Sequence, residues 1–124
     1  MRVLVVDDFP TMRRILKNVL RQLEMRDTLE AGNGKEALEV LKKEEVDLIL
    51  CDLLMPEMNG IELLRVCKDD PQLSNIPFIM VTAEAQKKAV MEAIKAGVDN
   101  YITKPFTPER LKDAINKVAP RNPQ

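Results

Sequence analysis

Five residues of this chain are equipped for chemistry: the adjacent carboxylates Asp7 and Asp8, then Asp52, Thr82 and Lys104. Each ends a short apolar run, VLVV before Asp7-Asp8, LILC before Asp52, FIMV before Thr82 and YIT before Lys104. Neighbouring like charges repel by about 3 kcal/mol at ~5 Å and an effective dielectric of about 20, so something must offset the acidic pair. Taken singly, each residue has a plain explanation, since Asp and Thr cap helices and Lys is ordinarily exposed. Recurrence at the ends of successive apolar runs is harder to explain by capping. Three carboxylates brought to one small volume call for a divalent cation, and oxygen-only ligands favour Mg²⁺ or a relative. A lysine ammonium and a threonine hydroxyl opposite them suit the oxygens of an anion. Together they describe a phosphoryl group held between a metal and an ammonium.

Whether these residues meet depends on the elements that carry them. Val3–Val6 is apolar without alternation, the pattern of a strand buried on both faces. Similar runs follow at Leu48–Cys51, Phe78–Val81 and Tyr101–Thr103, with a weaker one at Thr28–Ala31. Helical spacing fills the gaps. Met12, Ile15, Leu16, Val19, Leu20 and Leu23 form an amphipathic stripe. Ala37, Leu38 and Leu41 form a second, and Ile61, Leu63, Leu64 and Cys67 a third. Ala89, Val90, Ala93 and Ile94 form a fourth, closed by Gly97 as its C-cap. The fifth begins at Thr107-Pro108, an N-cap followed by proline, and carries Leu111, Ala114, Ile115 and Val118. This (βα)5 order with short connections predicts an α/β fold, a doubly wound open parallel sheet of five strands. Ligands of such sheets bind beyond the carboxyl ends of the strands, where all five residues fall.

Composition narrows the function classes. The 124 residues fit one domain, expected over 1–119, with a Pro-containing tail over 120–124. Net charge is −1, from 19 basic and 20 acidic residues, which gives no drive toward nucleic acid or anionic membrane. The pairs Arg13-Arg14, Lys42-Lys43 and Lys87-Lys88 read as solvated helix faces. No apolar run is long enough for membrane insertion and the chain opens in a strand, so a cytoplasmic location is expected. Histidine is absent, which removes His-based catalysis and His-ligated metals. Cys51 and Cys67 lack metal-ligand spacing and read as buried, reduced and structural.

The carrier of the phosphoryl group follows by elimination. Neither a GxxxxGK[ST] loop nor GxGxxG is present, so no Gly-rich turn cradles a nucleotide. Gly32-Asn33-Gly34 and Asn59-Gly60 read as turns that open helices. Without His, a Ser-based triad or a reactive Cys, the nucleophile of choice is a carboxylate, and Asp52 is the natural candidate.

The stretches VDDFPTMRR, MPEMNG after Asp52, MVTAEA and KPFT resemble the response-regulator receiver family, and within it the chemotaxis type; the likeness runs from Arg2 to Val118. The resemblance implies the flavodoxin-like strand order 2-1-3-4-5, an order that belongs to the fold family and that residue patterns alone do not specify. It implies that Asp52 accepts a phosphoryl group from a histidine kinase. Mg²⁺ is then held by Asp7, Asp8, Asp52, the backbone carbonyl of Leu54 and water. Lys104 contacts the phosphoryl oxygens, and its bond to Pro105 is cis. Thr82 and Tyr101 match a switch pair, which drives an output face of the fourth helix, fifth strand and fifth helix. Partners implied are a chemotaxis histidine kinase, a flagellar motor switch protein and a phosphatase, for a monomer that assists its own phosphorylation and dephosphorylation.

The chain also departs from that pattern. Leu54 stands where chemotaxis receivers often carry Asn, so only its backbone can serve as a ligand. The resemblance places Glu84 at the approach to the phosphoryl group, as the remaining group able to orient water. Glu24 replaces the glycine that commonly ends the first helix. A receiver belonging to a larger regulator, with a DNA-binding or enzymatic domain following, is the alternative reading. A haloacid-type phosphatase would need an acid at position 54, where Leu54 stands. A flavodoxin-like electron carrier would need a phosphate loop and flavin-stacking aromatics.

Overall fold

Residues 1–118 are described by the structure, a computed structural model; the expected boundary at 119 and the tail over 120–124 lie outside the described residues. Strands and helices alternate: β1 Arg2–Val6, α1 Pro10–Gln22, β2 Asp27–Ala31, α2 Gly34–Lys43, β3 Leu48–Cys51, α3 Gly60–Asp69, β4 Phe78–Thr82, α4 Lys87–Lys95, β5 Asn100–Thr103 and α5 Pro108–Val118. The five strands form one parallel sheet in the order β2-β1-β3-β4-β5. The strand order reverses between β1 and β3, the position where such sheets bind ligands.

Period-two alternation splits each central strand between two cores. Val3, Val5, Leu48, Leu50, Ile79 and Val81 face α1 and α5, packing on Leu16, Leu20, Leu111 and Ile115. Leu4, Val6, Ile49, Cys51, Phe78 and Met80 face the opposite layer, where Ala37, Leu41, Ile61, Leu64 and Ala93 cover them. The unbroken apolar runs are thus explained by helices on both faces. The edge strand β2 buries only Ala31, which accounts for its weaker signal.

The starts of α2, α3 and α5 follow their capping residues. Asn33 caps α2 through Glu36 N, and Asn59 caps α3 in a capping box with Glu62. Thr107 Oγ1 accepts from Arg110 N at 3.1 Å and opens α5. Two helical stripes are narrower than the spacing suggests. Ile15 is 43% exposed on α1, and in α4 only Ala93 is buried while Ile94 is 56% exposed. An apolar residue at helical spacing is buried only where a second layer covers that angle of the helix. Gly97 is not the C-cap but the residue after it. Ala96 caps α4, and Gly97 takes φ +96° so that its N–H reaches Ile94 O while Val98 N reaches Ala93 O.

Candidate functional site

Sheet register places the chemistry. Val6 pairs with Cys51, so the residues that follow, Asp7 and Asp52, leave adjacent strands side by side. Main-chain bonds Asp7 N to Ala31 O at 3.1 Å and Asp52 N to Val6 O at 2.9 Å continue the ladder through both. Thr82 pairs with Thr103, and Lys104 N donates to Thr82 O at 2.8 Å. Four strands therefore deliver their terminal residues to one edge.

Asp7 and Asp52 are buried, at 1% and 6% exposure, and Asp8 is half-buried. One carboxylate oxygen from each of the three lies within 4.8 Å of the others. Lys104 Nζ reaches Asp7 Oδ2 at 2.9 Å and Asp52 Oδ2 at 3.4 Å, so one ammonium serves two carboxylates. Asp7 Oδ1 accepts from Phe9 N at 2.9 Å, fixing the turn into α1. Asp8 Oδ1 is buried and has no hydrogen-bond partner among the described residues. A buried, orphaned oxygen in a cluster of three carboxylates is costly unless a cation satisfies it. The donor set, oxygen only and anionic, fits a hard divalent ion such as Mg²⁺. Asp7 thus shapes the turn, and Asp8 keeps an oxygen that could ligate a cation.

The loop after Asp52 is held close to it. Leu54 N approaches Asp52 Oδ1 at 3.4 Å, while the Leu54 side chain is 59% exposed. Glu57 takes φ +67° and Met58 N bonds Pro56 O at 2.8 Å, a γ-turn that folds the loop back. Gly60 is required here by space. A Cβ would stand 2.4 Å from Asp52 O, so α3 begins against the main chain of the nucleophile candidate. Leu54, Glu84 and Gln86 line one cleft of about 420 Å³ between α3 and α4, so Leu54 and Glu84 share that cleft.

Thr82 is fully buried, and its Oγ1 accepts from Glu84 N at 3.2 Å. Tyr101 donates its hydroxyl to Glu84 O at 2.6 Å, with its ring packed against the core under α4. Burial, with the charges of Glu84 and Asp52, holds the Tyr101 phenol above its usual range. Thr82 and Tyr101 therefore grip the same residue of the β4–α4 loop from two directions. The Lys104–Pro105 peptide bond is cis. Cys51 and Cys67 are free and buried; burial pushes the Cys67 thiol up to about 11 and holds Cys51 well above its ordinary range, so neither is a nucleophile at neutral pH.

At the site, Arg13 departs from its sequence-based reading. Arg13 is not part of a solvated face: its Nη1 donates to Asp7 O at 2.5 Å and its Nε to Glu30 Oε1 at 2.9 Å. Lys17 Nζ reaches the other Glu30 oxygen at 2.6 Å. Helical spacing alone cannot say that Arg13 and Lys17 of α1 reach across to Glu30 on the edge strand β2. Among the described residues no helix is long and apolar enough to cross a membrane.

Comparison with known proteins agrees with this geometry. The family model described as "Response regulator receiver domain" matches residues 3–116. The chemotaxis protein CheY-3 of Vibrio cholerae is 47% identical over 121 residues, covering 98% of this chain and 93% of that protein. A CheY homologue of Campylobacter jejuni is 50% identical over 119 residues, covering 95% of this chain and 92% of that protein. Among solved structures, V. cholerae CheY4 superposes with a TM-score of 0.87 at 30% identity, covering 94% of this chain and 97% of that one. The receiver domain of a Pseudomonas aeruginosa sensor histidine kinase, solved with magnesium in its active-site cleft, gives 0.85 at 25% identity, covering 94% and 95%. A family match over nearly the whole chain, joined to an acidic triad and lysine at the strand ends, makes this protein a CheY-like member of the response-regulator receiver family.

Proposed function

We propose that this protein is a chemotaxis response regulator whose Asp52 accepts a phosphoryl group from a histidine kinase, in the cytoplasm, to control a flagellar motor switch protein. The observation that carries this reading is the placement of Asp52 in the sheet edge with Asp7, Asp8 and Lys104 around it. An Asp52 oxygen attacks the phosphorus of a phosphohistidine; the new O–P bond forms as the N–P bond breaks, and the imidazole leaves with its electron pair. Little covalent machinery is needed beyond alignment and charge neutralisation. Asp7, Asp8, Asp52 and the Leu54 carbonyl would hold Mg²⁺, which supplies neutralisation of the phosphoryl oxygens when bound. Lys104 is poised to release a carboxylate and accept a phosphoryl oxygen in its place.

Phosphorylation adds about −1.5 to −2 charges. The Thr82 hydroxyl, now committed to Glu84 N, is the donor able to turn toward them, and Tyr101 shares the loop that such a turn releases. Moving an equilibrium from 1:99 to 99:1 needs about 5.5 kcal/mol of differential stabilisation, within reach of a few charge-assisted hydrogen bonds. The face of α4, β5 and α5 is the output surface; exposed Met91 and Ile94 on α4 support it as a docking face for a partner. The protein acts as a monomer, and a phosphatase acts on the same phosphoaspartate.

The test is phosphotransfer from a purified chemotaxis kinase to the parent and to Asp52→Asn, followed by mass spectrometry after borohydride trapping. Label is expected on Asp52 of the parent and absent from the variant. Undiminished label at another residue would overturn the assignment.

A further inference from the structure

We infer that Arg13 is a positioning residue for the acidic cluster, acting through the peptide that joins Asp7 to Asp8. This rests on the magnesium reading of that cluster. The carbonyl accepting from Arg13 Nη1 at 2.5 Å is Asp7 O, which belongs to the peptide unit between the two carboxylates. The plane of that unit sets the directions in which both side chains leave the main chain. A donor fixed to its oxygen therefore fixes two ligands at once.

Arg13 is itself fixed. Its Nε donates to Glu30 Oε1 at 2.9 Å, and Lys17 holds the second Glu30 oxygen at 2.6 Å. The guanidinium spans two acceptors in a planar fork, which a point-charge ammonium cannot reproduce. Its place in the helix argues against a merely local role. α1 has no acidic residue in its first turn and no side-chain cap. A cation near a helix N-terminus opposes the dipole, so helix stability alone would not select arginine here. Glu30 balances the added charge and leaves the hydrogen bond to Asp7.

Positioning and electrostatics act on the metal with opposite signs. Removing a cation beside a metal site by charge alone tightens cation binding, whereas losing alignment of two ligands weakens it. Mg²⁺ affinity is to be measured by calorimetry, and by the amide shifts of Asp8 and Phe9, well below each protein's unfolding temperature. Arg13→Ala is expected to weaken Mg²⁺ about tenfold, the loss typical of a group that orients metal ligands. Arg13→Lys should recover only part of this. Lys17→Ala removes the neighbouring positive charge without touching Asp7 and should stay within about twofold of the parent. Should Arg13→Ala fail to fold, Arg13→Lys against Lys17→Ala carries the same comparison. Parental or tighter binding by Arg13→Ala, full recovery by Arg13→Lys, or an equal loss in Lys17→Ala overturns the inference. A parent that binds no Mg²⁺ overturns the magnesium reading itself, and the inference with it.

Discussion

Leu54 is the residue that most separates this site from a more polar one. Hydrolysis of a phosphoaspartate needs water aligned opposite the leaving carboxylate. An Asn at this position would hydrogen-bond such a water, whereas the exposed Leu54 side chain is apolar and shares its cleft with Glu84. Leu54→Asn is therefore expected to shorten the life of the phosphorylated form a few-fold, under about 1 kcal/mol of barrier. Single-turnover decay at saturating Mg²⁺ measures it, and an unchanged or slower rate removes Leu54 from control of water. A second effect of a single residue concerns acid. Hydrogen bonds from Lys17 and then Arg13 hold the Glu30 carboxyl below its ordinary value of 4.5. A depressed native pKa contributes stability that is complete above 4.5 and is lost as pH falls through the lowered value. Glu30→Gln should flatten the loss of stability in that window below 4.5, read from urea midpoints between about pH 3 and pH 5. A curve identical to the parent's would mean the ion pairs are too exposed to matter.

Two helices end in the same way with different residues. After α1, Glu24 N bonds Arg21 O at 3.0 Å and Met25 N bonds Leu20 O at 2.8 Å, with Glu24 at φ +68°. After α4, Gly97 and Val98 make the equivalent pair of bonds. Both are Schellman endings, yet only the second has glycine at the left-handed position. An L-residue there costs about 1–2 kcal/mol, and glycine returns about 0.5–1 kcal/mol of that as unfolded-chain entropy. The Glu24–Arg26 ion pair, at 3.5 Å and largely exposed, adds little. Glu24→Gly should stabilise the protein by about 0.5–1 kcal/mol, seen as a higher urea midpoint with an unchanged slope. A lower midpoint would show that Glu24 makes a compensating contact.

For the whole molecule, the acidic edge is a liability that a bound cation would convert to stability. Asp8 Oδ1 has no partner, and Lys104 serves Asp7 and Asp52 instead. In metal-free buffer Asp8→Ala should therefore be more stable than the parent, by about 1 kcal/mol or more. With Mg²⁺ the order should reverse. A ligand at about 100 times its Kd adds about 2.7 kcal/mol to the parent, and the variant loses most of that gain. Thermal unfolding of both proteins with and without Mg²⁺ checks the crossing. A variant less stable without metal and equally responsive to Mg²⁺ would reject the site.

Sequence alone determined what is local or repeated. Apolar runs of unbroken hydrophobicity announced strands covered on both faces, because burial on both sides removes the reason to alternate. Asn33, Asn59 and Thr107 marked helix starts because their side chains satisfy the free N–H groups beyond them. The five residues of the site were legible because each stands at or just past a strand end, and strand ends in such a sheet share an edge. Only the tertiary structure decided which side chains meet across it. Lys104 bonds two carboxylates and leaves Asp8 unsatisfied, a division that no spacing encodes. Ile15 and Ile94 keep helical spacing but lie outside the covered angle, since burial depends on the neighbouring layer. Arg13 looked like a solvated cation because its acceptors, Asp7 O and Glu30, come from two other strand ends. Residues distant in sequence acquire a common hydrogen bond only after β1 and β2 have paired and α1 has packed beside them.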